Sequence, residues 1–320
     1  MKINKTVLFN PAVSSLNMGD HIIEAGVKKQ LEPIIKDDFI VEISTHLPVS
    51  RQYMKYIQNF EKKFVGGSNL LRGKMNRSFR QWDINLLQAD LLKNSILVGV
   101  GWWQYGDELN NYTKKLYKNI LSTDYLHSVR DNYTKEQLNS IGFNNVINTS
   151  CATMWDLTEE HCHQIPIEKQ KSVIFTLTDY NKNQKRDRQF VNILVNNYDK
   201  VFMWVQGERD LEYLKELNID INKINIVPPS LKEFDKVLQN LDIDYIGTRL
   251  HGGVRALQHQ KRTIIIGIDN RALEKKKDFN IDVVDREDMD LLENVIYDNF
   301  KTEIVIPEEN IKEWKKQFIN

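Results

Sequence analysis

Short apolar runs alternate with amphipathic stretches along the whole chain. In the first half, residues 6–10, 38–44, 63–65, 95–101, 125–129 and 145–149 predict buried strands. Between them, apolar positions recur at helical spacing, most clearly at Ile22, Ile23, Val27, Leu31 and Ile34. Helices are also predicted from Ser50 and over 109–121 and 132–141, the last closed by Gly142. The pattern restarts after 164–170, where Pro166 marks the best linker. Strands are then predicted at 172–177, 200–205, 224–227, 245–247, 263–268 and 282–284, with helices at 187–196, 209–217, 231–241, 254–260 and 287–300. Such alternation predicts an α/β protein of two Rossmann-like domains, 1–165 and 166–320, each a parallel sheet with helices on both faces. Right-handed crossovers place the carboxyl ends of the strands on one edge, where ligands bind.

The polar residues that end the strands are therefore the candidates for chemistry. In the first βα turn, Asn17-Met18-Gly19-Asp20 opens a helix, with Asp20 as the expected N-cap and Gly19 free to take a positive φ before it. The turn lacks G-x-G-x-x-G spacing, so no dinucleotide is inferred, and capping alone also explains it. Gly66-Gly67, followed by Ser68 and Asn69, permits close approach of the backbone to a ligand. Arg72, Lys74, Arg77 and Arg80, with Trp82, form a basic stretch suited to an acidic substrate or, equally, a solvated loop. Gly101-Trp102-Trp103 offers either a platform for a sugar ring or core packing. A further strand runs into Arg130-Asp131, and another, at 263–268, ends at Asp269-Asn270-Arg271.

The richest strand end is Asp244 to Gly253. An apolar run feeds a turn holding Arg249, His251, Gly252 and Gly253, and a helix follows. The first N–H groups of that helix lack internal partners. Arg249 adds a fork of donors for carboxylate or phosphate, and His251 a group that titrates near neutrality. Together they suggest a site that binds an anion and moves a proton on it. The competing reading is a packed βα turn with a structural histidine.

Charge narrows the field. Lys+Arg and Asp+Glu both total 44, so nothing favours non-specific binding to nucleic acid or acidic membranes as the main task. The two cysteines, Cys151 and Cys162, make no C-x-x-C pair and no disulfide framework, which fits a reducing compartment. Glu159-Glu160-His161-Cys162-His163 has ligand-type residues but no second pair at zinc spacing, so no metal site is expected. No signal peptide and no run near the length of a membrane helix is apparent, and a soluble cytoplasmic protein is expected, with peripheral membrane association left open.

Five segments, in order, resemble one family: Asn-Met-Gly-Asp at 17–20, Val-Gly-Gly-Ser-Asn-Leu at 65–70, Val-Gly-Val-Gly at 98–101, Ser-Val-Arg-Asp at 128–131 and Arg-Leu-His-Gly at 249–252. The set is similar to the polysaccharide pyruvyl transferases. The resemblance implies a GT-B-like fold, with two Rossmann-like domains facing a cleft. It implies transfer of an enolpyruvyl unit from phosphoenolpyruvate to a sugar of a surface polysaccharide or its lipid-linked precursor, giving a pyruvate ketal and phosphate. By the same resemblance, Arg130 and Arg249 bind the donor's carboxylate and phosphate, and His251 is the acid. Asn17, Gly19, Asp20 and the Gly66-Gly67 loop with Asn69 lie on the acceptor side, and Asp131 and Gly252 complete the substrate contacts. No cofactor is implied beyond the donor substrate. Either Asp20 or Asp131 would serve as the hydroxyl base. Many members carry Asp-Pro where this chain has Ser150 to Trp155, and Gly-Pro where it has Trp102-Trp103, departures that bear on the acceptor. Two other readings suit the same residues: a GT-B glycosyltransferase using a nucleotide-sugar, and a non-catalytic carbohydrate-binding member of a polysaccharide assembly system.

Overall fold

The computed structural model describes residues 3–268, 276 and 279–319; the strand end at Asp269-Asn270-Arg271 lies outside the described residues. The chain forms two compact units. Unit 1 comprises Met1–Ser15, Ile23–Trp155 and Pro307–Asn320, and unit 2 comprises Leu16–Ile22 and Asp156–Ile306.

In unit 1, β1 (Lys5–Asn10), β2 (Phe39–Ser44), β3 (Lys62–Gly66) and β4 (Ser95–Val98) form a parallel sheet in the order β2-β1-β3-β4. Next come β5 (His127–Val129) and β6 (Val146–Asn148), paired in parallel. A bridge from Val100 to Val129 joins that pair to the end of β4. Helices α1 (Met18–Ile35), α2 (Arg51–Ile57), α3 (Leu86–Ala89), α4 (Asn111–Ile120) and α5 (Asn132–Asn139) fill the connections. α2, α3 and α4 bury Met54, Ile57, Ala89, Leu116 and Ile120 in one core with Val7, Phe9, Val65 and Leu97 of the strands.

In unit 2, a short α6 (Glu159–Cys162) precedes β7 (Ser172–Thr176), α7 (Gln184–Asn197), β8 (Lys200–Trp204), α8 (Asp210–Glu216), β9 (Ile224–Val227), α9 (Leu231–Asn240), β10 (Ile243–Gly247), α10 (Leu250–Gln258), β11 (Thr263–Gly267), β12 (Val283–Asp285) and α11 (Met289–Tyr297). All six strands are parallel, in the order β12-β11-β10-β7-β8-β9. The central strands are buried on both faces, which is why β7, β10 and β11 carry near-continuous apolar runs rather than alternation. This is the doubly wound order, and its direction reverses between β7 and β10.

The units differ from the expected 1–165 and 166–320. The chain's last helix, α12 (Glu308–Lys316), belongs to unit 1, where Trp314 is fully buried, packs edge-on against Trp155 and donates its indole N–H to Leu126 O at 2.9 Å. The spacing of Ile311, Trp314 and Phe318 carried that signal. α6 belongs to unit 2, where His161 Nε2 donates to Leu257 O at the end of α10 at 2.7 Å. Among the described residues, no helix is long and apolar enough to cross a membrane.

Candidate functional site

The reversal between β7 and β10 is lined by hydroxyls. Tyr245 on β10 donates to Arg249 O at 2.8 Å and meets Thr176 Oγ1 at 2.7 Å, while Arg249 N donates to Thr176 Oγ1 at 3.3 Å. Thr178 and Thr248 share a hydrogen bond at 2.9 Å. These bonds fix the chain as it leaves the strand and starts α10. The helix begins at Leu250 rather than at 254, because Gly252 and Gly253 are helical, so His251 is the second residue of α10 and half-buried. The glycines are required by packing. A Cβ on Gly252 would come within 2.7 Å of the Tyr245 hydroxyl, and one on Gly253 within 2.1 Å of Ile265 Cδ1. Arg249 is the N-cap residue but makes no side-chain cap, so the first N–H groups of α10 keep their anion-attracting character.

The Arg249 guanidinium holds two loops of unit 2 together. It is buried, and its Nη2 donates to Asp179 at 3.0 Å and to Asp210, while Nε donates to Leu177 O at 3.0 Å. The Tyr180 ring lies 5.1 Å from the guanidinium carbon. Asp179 and Asp210 balance the guanidinium charge, so Arg249 clamps the loops after β7 and β8 to the start of α10. These bonds engage Nε and Nη2 and are compatible with the donor contact expected of the residue. Asp210 also accepts from Gly207 N at 2.7 Å; burial holds its carboxyl above the ordinary carboxylate range, with Arg249 pulling the other way.

Residues Asn17, Gly19 and Asp20 fall in unit 2, against the expectation that they belong to the first domain. Asn17, not Asp20, caps α1: Asn17 Oδ1 accepts from Gly19 N at 3.0 Å, and Asp20 stands in the first helical turn. Gly19 has no positive φ; it is glycine because a Cβ there would come within 2.8 Å of Gln206 Nε2. Gln206, at the end of β8, accepts from Met18 N through its backbone oxygen at 2.8 Å and donates from Nε2 to Asn17 Oδ1 at 3.3 Å. Its Oε1 is buried without a hydrogen-bond partner and would lie 2.9 Å from a Cβ on Gly252. Gln206 thus joins the starts of α1 and α10. Neither it nor Asp179 and Asp210 stood out in the sequence as site residues, although all three follow strands that the alternation places on one sheet edge.

In unit 1, Arg130 follows β5 and lies over Gly101, where a Cβ would meet its Nε at 2.0 Å. Arg130 is buried, and its Nε donates to Asp131 Oδ2 at 3.2 Å. Asp131 Oδ1 accepts from Thr134 N at 2.8 Å and from Thr134 Oγ1 at 2.6 Å, so Asp131 is the N-cap of α5. Asn69 lies beyond the end of β3, with its Oδ1 buried and unpartnered. Gly66 and Gly67 have a packing reason to be glycine: a Cβ on Gly67 would meet Ile23 Cγ2 at 2.1 Å, one on Gly66 would meet Val27 Cγ1 at 3.0 Å, and Gly67 has φ +61°. Trp102 is wholly buried between Tyr117 and Tyr133, so the sugar platform expected from the tryptophan pair is not built by it. Trp103 is half-buried, with Arg72 stacked 4.6 Å from its ring. Arg72 and Arg80 are drawn inward, Arg72 donating to Phe79 O at 2.5 Å and Arg80 pairing with Asp83, so the basic stretch is neither fully solvated nor fully available.

A sequence model of the family described as polysaccharide pyruvyl transferase matches residues 17–270, more than half of the chain. The chain belongs to the polysaccharide pyruvyl transferase family. The matched span runs from Asn17 through β10 and α10, so it includes Arg130, Gln206, Arg249 and His251. None of the curated proteins searched matches the sequence. Among solved structures, a UDP-GlcNAc 2-epimerase from Methanocaldococcus jannaschii superposes with a TM-score of 0.59 at 14% identity, covering 99% of this chain and 100% of the other. S. aureus MnaA, solved with UDP, gives a TM-score of 0.57 at 11% identity over 100% of this chain and 97% of the other. At such identity the likeness is one of fold, and it places this pyruvyl transferase family member in a two-domain GT-B-like α/β architecture.

Proposed function

We propose that the protein transfers a pyruvyl unit from phosphoenolpyruvate to a sugar of a surface polysaccharide or its lipid-linked precursor. The observation that carries this reading is the family match over 17–270 with His251 in the first turn of an uncapped helix. In the reaction, one sugar hydroxyl attacks the donor's central carbon while His251 delivers a proton to the methylene carbon. A second hydroxyl then displaces phosphate and closes the ketal. The N-terminus of α10, which receives no side-chain cap from Arg249, suits the donor's phosphate or carboxylate, and the bound anion favours the protonated histidine that an acid requires. The helix dipole opposes that protonation. Arg130 keeps the anion-binding role implied by the family. Arg249 acts through position, holding α10 and therefore His251. Asp20 or Asp131 serves as the hydroxyl base, Asp131 also holding Thr134 and Arg130.

The test is phosphate release on incubation with phosphoenolpyruvate and a panel of glycans. Release with at least one acceptor, with a mass gain on the glycan matching a pyruvate ketal, is expected. Tight binding of a nucleoside diphosphate without such release would replace this reading with that of a nucleotide-sugar glycosyltransferase. Glycan binding with no release for any acceptor would leave a non-catalytic carbohydrate-binding role.

A further inference from the structure

Unit 1 carries exposed apolar side chains to which the proposed chemistry gives no role. Two segments follow strand ends there: 45–58, after β2, and 68–88, after β3. They are tied together. Asp83 N donates to Thr45 O at 2.7 Å, His46 Nδ1 meets Gln81 O at 3.1 Å, and Gln88 Nε2 donates to Val49 O at 3.1 Å. Both segments send side chains inward: Met54, Ile57, Met75, Trp82 and Ile84 enter the core. The same segments leave large apolar side chains outward. Leu87 is 82% exposed, and Leu47, Tyr53, Tyr56 and Phe79 are exposed as well. A leucine on one turn needs no explanation, but five such side chains on two bonded segments do.

Charge on these segments departs from the rest of the chain. They hold six Lys or Arg side chains against one carboxylate, Asp83, in a chain whose formal net charge is zero. Arg72 and Lys74 lie within 3.7 and 3.9 Å of Asp107, and Arg80 pairs with Asp83. Arg51, Lys55 and Arg77 are exposed, and among the described residues none has a carboxylate within ion-pair distance. On α2 the order Arg51, Tyr53, Lys55, Tyr56 interleaves cations with amphipathic rings, whose apolar bodies and polar tips suit a headgroup layer.

We propose that this face of unit 1 docks on an anionic lipid surface. Leu47, Tyr53, Tyr56, Phe79 and Leu87 enter the headgroup region, and Arg51, Lys55 and Arg77 meet the lipid charge. A surface both apolar and cationic matches that occupant better than it matches a second copy of the same face, which would set like charges together. The proposal goes beyond the transfer reaction and does not depend on it, since binding is read without phosphoenolpyruvate.

The test is co-sedimentation of the whole protein with vesicles of phosphatidylcholine alone or mixed with phosphatidylglycerol. Binding to the mixed vesicles only, weakening with added salt, is expected. The variant Arg51→Gln/Lys55→Gln/Arg77→Gln should lose about 100-fold in partitioning, at roughly one unit of the per-cation effect for each residue. Leu47→Ser/Leu87→Ser should also release the protein, with an unchanged unfolding midpoint confirming that both variants fold. Absence of binding to the mixed vesicles, or equal binding by the variants, overturns the proposal. A dimer seen by light scattering that Leu87→Ser dissociates, without vesicle binding, overturns it in favour of a second copy.

Discussion

Two turns in this molecule look alike in sequence and are built differently. Each has an arginine at the carboxyl end of a parallel strand, followed at once by a helix: Arg130 before α5 in unit 1, and Arg249 before α10 in unit 2. Both arginines are buried and both touch carboxylates. At α5 the acid is the next residue, and Asp131 both pairs with Arg130 and caps the helix. At α10 the acids come from other loops, Asp179 and Asp210, and the helix start receives no side-chain cap. The first turn takes its acid and its cap from one residue. The second takes its acids from two distant loops and sets His251 in the first turn of a helix with no side-chain cap. The contrast teaches that an arginine at a strand end is read through how its neighbours treat the helix start, not through its own charge alone.

The largest expected effect breaks the second turn. Asp210→Ala removes one of two carboxylates from a buried guanidinium and the acceptor of Gly207 N; because Asp179 stays, the cost should sit at the lower end of the roughly 3–5 kcal/mol seen when a buried pair is broken outright. Urea unfolding of the variant should show that drop, and Arg249→Lys should lower stability in the same direction, because an ammonium cannot reach the same acceptors as the fork. If Arg249→Lys keeps full stability and loses only affinity for phosphoenolpyruvate, Arg249 is a donor ligand and the clamp is wrong.

A second experiment addresses the strand that carries the first turn. His127 begins β5 and is fully buried; its Nδ1 accepts from Leu97 N at 3.2 Å, and Nε2 donates to Ser122 O at 2.8 Å. Burial pushes its pKa down to about 4, against the opposing hydrogen bond to Ser122. The unfolded chain therefore binds the extra proton first, and stability is lost as pH falls from about 6.5 through about 4. About 3 kcal/mol should disappear across that window by urea titration, and His127→Gln should flatten the slope. An unchanged slope in the variant would assign the acid loss to other groups.

Between the two turns, only unit 2 is assigned an acid. His251→Ala should keep its unfolding midpoint, since the side chain is half-buried in the first turn of α10, and lose ketal formation by about 100-fold or more. A variant that turns over at the parent rate has no need of the histidine.

These contrasts also explain how far the sequence could be read. Apolar runs at β7, β10 and β11 announce parallel strands, and strand–helix alternation places Thr176, Gln206 and Arg249 on one edge, because both follow from local periodicity. What periodicity cannot carry is the identity of a long-range partner. Nothing near Arg249 in sequence says that Asp179 and Asp210 reach it, and nothing near Gly19 says that it is small to admit Gln206. The glycine pair at 66–67 suggested close approach, which has one signature whether the visitor is a substrate or a side chain such as Ile23 or Val27 of α1. The helix start was read four residues late at α10 because Gly252 and Gly253 weigh against helix in any local scale, and packing against Tyr245 and Ile265 overrides that weight.

The smallest effect separates the two roles of Asp131. As a cap, its loss in Asp131→Ala should cost about 1 kcal/mol. Asp131→Asn keeps an oxygen for Thr134 N and removes the charge facing Arg130, so it should restore the capping part alone. If the closed turn serves mainly to hold Arg130 for an anionic ligand, Asp131→Asn should leave stability near the parent value and change donor affinity, because a guanidinium relieved of its carboxylate binds an incoming anion more readily. If Asp131 is only a cap, Asp131→Asn should match the parent in both measurements. Measuring unfolding and donor titration on the same pair of variants therefore tells whether the turn in unit 1 is merely a helix start or a second anion-handling element of the enzyme.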